Sequence, residues 1–394
     1  MSDLWTNLYL SDVCEINMGQ SPSSSTYNTE RKGIPFFQGK SEFTKKYAQV
    51  KIWCSKPQKI AQQGDILISI RAPVGISNIA PEKCCIGRGL AALKSNTHKL
   101  DQNFLWHVIS FHKRYLEGIA QGSTFDAISN KDLSTLPLKL PPLPEQKKIA
   151  NIISTVTEVI ENNQKQLDKL QYLKQSTLNE LLTRGIGHQD FKVSELGMIP
   201  KSWQIKRFRD VCGVANGQVD PKKEPYSNMK HIGLVNIEKH TGRLLDVKTA
   251  AHDGQTSGKY LFQETDILYG KINPHFAKIA FPRYSGICSA DIYPIYCDDD
   301  LKPTFLFYYL LSNEFTKYAV SVSGRTGMPK INREDLNLAK IRIPPIDEQI
   351  KIASILNSMD KLIKRHQIKI RKLCSLKQSI SQDLLAGKVR VKVN

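Results

Sequence analysis

The chain has 394 residues, 40% of them apolar, with 56 Lys and Arg against 37 Asp and Glu, a formal net charge of +19. That length suggests two or three domains, and the apolar content is enough for real cores, which excludes a disordered tail protein. The charge excess points to a polyanionic partner, either nucleic acid or an anionic membrane face.

No apolar run approaches the ~18 residues that span a bilayer. The opening Met-Ser-Asp-Leu-Trp lacks a basic segment followed by an apolar one, so a cytoplasmic location is expected. The eight cysteines form no Cys-x-x-Cys pair and read as buried thiols rather than a disulfide framework.

In chain order, Asp65–Ile70 reads as a short strand and Phe104–Ile109 as a short buried helix. A heptad-spaced helix follows the Pro141-Pro142 stop, with apolar seam positions at Ile149, Ile153, Val156, Ile160, Leu167 and Leu170. Gly185 ends it, and Gly185–Ser202, with Gly187, Gly197 and Pro200, reads as a linker. Asp291–Tyr296 then reads as a strand and Phe305–Leu311 as a buried helix. A second heptad helix follows, with seam positions Ile352, Leu356, Met359, Ile363, Ile370 and Leu373, and Gly387 near its end. Each helix, at about 38 residues, is roughly 57 Å long. Glu145 and Glu348 fall in the first turns, where a carboxylate suits the helix dipole.

The chain contains itself twice. Pro141-Pro142-Leu143-Pro144-Glu145-Gln146-Lys147-Lys148-Ile149-Ala150 returns as Pro344-Pro345-Ile346-Asp347-Glu348-Gln349-Ile350-Lys351-Ile352-Ala353, an offset of 344 − 141 = 203. The match runs on without a gap to Leu173-Lys174-Gln175-Ser176 and Leu376-Lys377-Gln378-Ser379. The preceding regions repeat more weakly: Trp5, Asp12, Val13, Cys14, Gly19 and Gln20 match Trp203, Asp210, Val211, Cys212, Gly217 and Gln218. Two seam positions are polar in both copies, Asn163 with His366 and Lys174 with Lys377. They either fix register or sit at solvated ends and wide gaps. The cheapest partner for each apolar stripe is the other copy, which predicts an antiparallel pair with a globular region at each end and pseudo-two-fold symmetry. The expected fold is mixed α/β (α+β). Its divisions are 1–140 globular, 141–185 helical, 186–202 linker, 203–343 globular and 344–394 helical.

Catalytic motifs fail. Gly33 to Ser41 is one residue too long for a phosphate loop and carries Phe36 and Phe37 in the cradle. Asn273-Pro274-His275-Phe276 lacks the second proline of the adenine-methyltransferase signature, and the first half has Arg71-Ala72-Pro73 there. Glu145-Gln146-Lys147 has the Glu-x-Lys of a nuclease metal site, but Ile350 breaks it in the second copy. His98, His107 and His112 lack companions at ligand spacing. No catalytic residue and no metal site is expected.

The doubled Pro-Pro-x-x-Glu-Gln helix start, the Leu-Lys-Gln-Ser segment, Thr183-Arg184-Gly185 and Glu195-Leu196-Gly197-Met198-Ile199-Pro200-Lys201-Ser202-Trp203 resemble the specificity subunit of type I restriction-modification systems, across essentially the whole chain. The resemblance implies a non-catalytic subunit with two target recognition domains. Each reads one half of a bipartite, asymmetric double-stranded DNA site, and the helices set the unread spacer. The helices also dock two modification subunits, which hold S-adenosylmethionine and methylate adenine at N6. Two restriction subunits with ATP and Mg cleave unmodified DNA. No cofactor is bound by the chain itself and no membrane is involved. The alternatives are a coiled-coil scaffold for other polyanions and an autonomous nuclease.

Base reading falls to polar side chains on loops. In the first half the candidates are Gln20, Ser21, Gln38, Lys40, Arg71, Arg88, Ser123, Thr124 and Ser129. In the second they are Gln218, Lys222, Lys223, Asn236, Lys271, Asn273, Arg325, Thr326, Lys330 and Asn332. The charge is uneven: residues 348–394 hold eleven basic and three acidic side chains, residues 145–184 six and five. The excess sits at Lys361, Lys364, Arg365, Lys369, Arg371 and Lys372, expected to face spacer phosphates or a docked subunit.

Overall fold

The structure is a computed structural model that describes residues 5–121, 126–324 and 327–392. Its α-helices are α1 (Gln102–Phe111), α2 (Lys113–Gln121), α3 (Asn130–Ser134), α4 (Leu143–Arg184), α5 (Pro303–Leu310), α6 (Asn313–Ser323), α7 (Arg333–Leu338) and α8 (Ile346–Leu385). The chain divides into two compact units: residues 1–164 with 368–394, and residues 165–367. Each unit therefore owns half of α4 and half of α8. Contacts run between the start of α4 and the end of α8 in unit 1, and between the end of α4 and the start of α8 in unit 2. Within each unit the two helix halves therefore run antiparallel.

Unit 1 has a four-stranded antiparallel sheet in the order Cys14–Met18, Leu90–Ser95, Ile66–Ser69, Ser77–Ile79. All four residues of Ile66–Ser69 are buried, which is why the sequence there is a continuous apolar run without alternation. A five-stranded sheet lies beside it in the order Tyr27–Asn28, Trp53–Cys54, Ile34–Phe37, Cys84–Ile86, Ile60–Ala61, with one parallel pair, Phe36 opposite Cys85. Thr6–Tyr9 pairs with Pro137–Leu140 and leads the chain into α4. The core joins Ile66, Ile68, Leu93, Phe104 and Leu105 to Ile149 and Ile153 of α4 and to Leu384 and Leu385 of α8.

Unit 2 repeats this topology except at the edges of the five-stranded sheet, where Gln218–Val219 adds beside Lys259–Phe262 and, among the described residues, no strand corresponds to Tyr27–Asn28. Its four-stranded sheet runs Cys212–Val214, Ile292–Cys297, Ile267–Gly270, Ile279–Ala280. Its five-stranded sheet again holds one parallel pair, Ile232 opposite Cys288. Gln204–Arg207 pairs with Lys340–Ile343 ahead of α8. Leu178, Leu181 and Leu182 of α4 share its core with Ile352, Ala353 and Leu356 of α8. Residues 186–202, read as the linker, hold a hairpin, Phe191–Ser194 with Gly197–Pro200. Gly197 at φ +86 and the Ser194 hydroxyl, which donates to Gly197 O (2.7 Å), close its turn.

The seam positions face inward. Ile149, Ile153, Leu167, Ile352 and Leu356 are buried, and Val156, Ile160, Leu170, Met359, Ile363, Ile370 and Leu373 are half-buried. A fully buried Ile or Leu contributes about 1.5–3 kcal/mol. Of the polar seam residues, Asn163 is buried and Lys174, His366 and Lys377 are half-buried. Asn163 donates to Val159 O (2.7 Å), while Lys174 pairs with Asp360, whose other oxygen accepts from Tyr308 OH (2.9 Å). α4 and α8 run 42 and 40 residues, slightly beyond expectation, and end at Gly185 (φ +69) and Gly387 (φ +70). Among the eight free cysteines, Cys297 is half-buried and Cys374 exposed, contrary to the uniform burial expected; the other six are buried.

The repeated helix start is a device for holding a loop. Gln146 is buried; its amide donates to Lys99 O and Pro141 O (2.9 Å each) and accepts from Asp101 N (2.9 Å). Gln349 repeats the set with Asp300 O (2.9 Å), Pro344 O (2.9 Å) and Lys302 N (2.8 Å). One glutamine thus fixes the segment before the short helix of its unit to the start of a long one. The first-turn glutamates do more than face a dipole. Each receives the chain leaving the opposite long helix. Glu348 accepts from Ile186 N (2.9 Å), His188 Nε2 (2.8 Å) and Trp203 Nε1 (2.9 Å), and Glu145 accepts from Arg390 and Val391 N. The exit glycines are required: a side chain at Gly185 would strike Glu348 Oε1, and one at Gly387 would press on the Trp5 ring.

Candidate nucleic-acid interface

In unit 1 the loops that follow the sheet strands meet at one end. Gln38, Lys40, Arg71 and Arg88, all exposed, border a cleft of about 290 Å³. Ser21 lies beside them, its hydroxyl accepting from Arg88 N (3.2 Å), and Gln20 N donates to Ile86 O (3.0 Å). Six of the nine candidates of this half therefore come together. The Arg71 backbone bridges to Ala127, which brings in the segment after Ser123 and Thr124; those two lie outside the described residues. Ser129 is engaged as the N-cap of α3: its hydroxyl donates to Asp132 Oδ2 (2.6 Å) and accepts from Asp132 N (3.3 Å). These contacts hold the Asp132 carboxyl below its usual range.

In unit 2 the corresponding loops carry a different surface. Lys271 places its ammonium 5.3 Å from the centre of the Tyr293 ring, and burial raises the phenol of Tyr293. Asn273 sits in the left-handed region (φ +50) and donates from its backbone to Pro329 O (2.8 Å). Lys330 is exposed and bridges to Ile272. Gln218 opens a short edge strand, and Lys222 and Lys223 sit on the turn begun by Asp220. Two candidates are engaged structurally. Asn236 accepts from Gly233 N (2.9 Å) and donates to Asp246 O (2.8 Å), and Asn332 caps α7 through Asp335 N (2.8 Å). Arg325 and Thr326 lie outside the described residues.

Sequence reasoning missed Arg333. It donates to Ala215 O (3.1 Å), pairs with Asn216, and stands over the rings of Tyr260 (5.9 Å) and Tyr293 (5.6 Å). No local pattern marks it, because the Ala215 and Asn216 that hold it are more than a hundred residues away in sequence.

The six basic residues of α8 are all exposed: Lys361, Lys364 and Arg365 in unit 2, Lys369, Arg371 and Lys372 in unit 1. A roomier cleft of about 710 Å³ in unit 2 has its Lys174 and Arg243 paired with Asp360 and Glu238, and is also lined by Arg283 and the exposed Lys364. Among the described residues no three His, Cys, Asp or Glu side chains gather as a metal site, and no helix is long and apolar enough to cross a membrane.

Comparison with known proteins agrees with this arrangement. A family model described as the type I restriction modification DNA specificity domain matches residues 2–172 and again 200–373. The EcoDI specificity subunit of a type I restriction enzyme from Escherichia coli is 26% identical over 98% of this chain and 88% of its own length. The putative MjaX specificity subunit of Methanocaldococcus jannaschii is 46% identical, over 43% of this chain and 40% of its own length. Among solved structures, a chain from the type I R-M system described for its complex assembly and conformational transition shares the fold, at a TM-score of 0.63 and 17% identity over 98% of both chains. The type I restriction-modification S subunit from M. genitalium gives 0.59 and 13%, over 100% of this chain and 98% of its own. With its specificity domain present twice on a duplicated frame, the chain belongs to the type I restriction-modification DNA specificity family.

Proposed function

We propose that the chain is the non-catalytic DNA-reading subunit of a type I restriction-modification complex. Each unit reads one half of a bipartite, asymmetric duplex site. One observation carries this reading: two copies of the same backbone frame present different side chains on the same loops. A duplicated frame gives two readers, and divergent loops give two different half-sites. Fixed helices between readers make half-site spacing a geometric property of the protein.

In this reading α4 and α8 set the unread spacer and dock two modification subunits. Those subunits hold S-adenosylmethionine and methylate adenine at N6, while two restriction subunits use ATP and Mg to cleave unmodified DNA. The exposed basic run on α8 meets spacer phosphates or an acidic face of a docked subunit. The complex works in the cytoplasm, where the host DNA is.

Long-read detection of N6-methyladenine in a host expressing the chain with modification subunits tests this. Methylation at one split motif, absent when the chain is omitted, is the expected result. Methylation by the isolated chain, or none with its partners, would overturn it.

A further inference from the structure

The two units can be matched through their backbone hydrogen bonds, with Gln38 as one extra residue of unit 1 between Phe37 and Gly39. Gly87 N to Phe37 O (2.8 Å) reappears as Ser289 N to Ile232 O (3.0 Å). Ile70 N to Gly89 O reappears as Lys271 N to Asp291 O, both 3.0 Å. The Arg71–Ala127 bridge reappears as Ile272–Lys330. The 3-10 turn Lys40–Glu42, closed by Glu42 on Gly39 N (3.4 Å), reappears as Leu234–Asn236, closed by Asn236 on Gly233 N (2.9 Å).

Three substitutions then stand out. Lys40, Arg71 and Arg88 of unit 1 occupy the backbone positions of Leu234, Ile272 and Ala290 in unit 2. The three cations belong to one cleft with Gln38, all are exposed, and among the described residues none has a carboxylate partner in an ion pair. The three apolar counterparts are half-buried; Val235, which follows Leu234 on the same turn, is 81% exposed. Of the nearby cations of unit 2, Lys271 lies on Tyr293, Arg333 on Ala215 and Asn216, and Lys278 on Leu234 O, while Lys330 is exposed across the bridge from Ile272.

The change of chemistry separates two roles. Both halves of a duplex site carry the same phosphate backbone, so a cation that only neutralises phosphate is wanted equally in both units. Bases differ between half-sites, so positions that switch from cationic to apolar follow the bases. Arginine pairs bidentately with O6 and N7 of guanine, while apolar side chains contact the thymine methyl.

We infer that the Lys40–Arg71–Arg88 cleft reads guanine in the half-site of unit 1, and that the exposed Val235, on the matching turn of unit 2, reads a thymine methyl. This rests on the DNA-reading function proposed above. It goes further, because it names the base class at each place and the side chains that select it.

The test is selection from a randomised duplex DNA pool by the full chain assembled with its modification subunits. Wild type is compared with Arg71→Lys, Arg88→Lys and Val235→Ser, and thermal melting checks that each variant is folded. The lysine variants keep the charge but lose the bidentate fork. The expected result is a guanine at a fixed position of one half-site, with preference for it reduced about ten-fold or more in each lysine variant. The other half-site stays unchanged in those variants and loses thymine preference only with Val235→Ser. If the motif is specific and the lysine variants leave it intact, the cleft contacts phosphate and the inference fails while the DNA-reading function stands. If wild type selects no sequence at all, the DNA-reading function itself fails.

Discussion

The carboxylate of Glu145 receives Arg390, 245 positions later: Nε donates at 2.9 Å and Nη2 at 2.8 Å, and Val391 N adds a bond at 3.1 Å. The segment leaving α8 is thereby fastened to the first turn of α4. The Glu145 side chain is 3% exposed and Arg390 43%. Burial raises the Glu145 carboxyl, and the Arg390 guanidinium and Val391 amide more than offset this, leaving it below its usual range. Arg390→Ala strands a buried carboxylate. The cost is about 1–3 kcal/mol, less than for a fully buried pair because Arg390 is partly in water. Since the folded carboxyl titrates below its unfolded range, its stabilisation is complete above that range and is lost as pH falls through the folded value. Denaturant melts of wild type and Glu145→Gln from about pH 7 down to about pH 3 check this; the difference between them shrinks at the acid end.

The two buried glutamines give a matched pair of predictions. Gln146→Ala and Gln349→Ala each leave three backbone groups without their partner, at a cost of about 2–4 kcal/mol. The two sets share no residue, so the double variant loses close to the sum. Equilibrium unfolding of the three variants measures this, and a clear shortfall from additivity contradicts it.

The seam of α4 and α8 and the repeat were legible because helical periodicity and tandem identity are local patterns. Ser129 and Asn332, read from the sequence as base contacts, are helix caps bonded to an Asp three residues later. The Glu145–Arg390 pair was not legible. Its partners are far apart in sequence, and the second copy meets Glu348 with Trp203 and His188 instead. The meeting of Gln38, Lys40, Arg71 and Arg88 in one cleft likewise depends on which strands pair, which no local window encodes.

His107 is buried, contacts Ser154 Oγ through Nε2 (3.1 Å) and is pulled down to about 4, first by burial and then by the nearby Lys377 ammonium. The unfolded chain binds the proton more readily, so stability is complete above about pH 6.5 and falls as the pH drops toward 4. His107→Gln keeps a polar partner for Ser154 and removes this titration. A flatter stability profile between about pH 6.5 and 4 is the expected outcome of melts across that range.

The exposed cations of α8 separate two roles. Replacing Lys361, Lys364, Arg365, Lys369, Arg371 and Lys372 by Gln lowers the slope of log binding constant against log salt if they meet phosphates, by roughly 0.9 for each phosphate no longer neutralised. An unchanged slope with weaker assembly of modification subunits assigns them to docking instead. Salt titration of DNA binding and sedimentation of the assembled complex distinguish the two.

The proposed function gives each unit its own half of a split site to read. Its most direct test replaces residues 1–140 with the corresponding region of another specificity subunit and maps N6-methyladenine by long-read sequencing in cells that also carry the modification subunits. The account predicts that one half of the methylated motif changes while the other half and the spacer stay as they were. A change in both halves, or in neither, would contradict it.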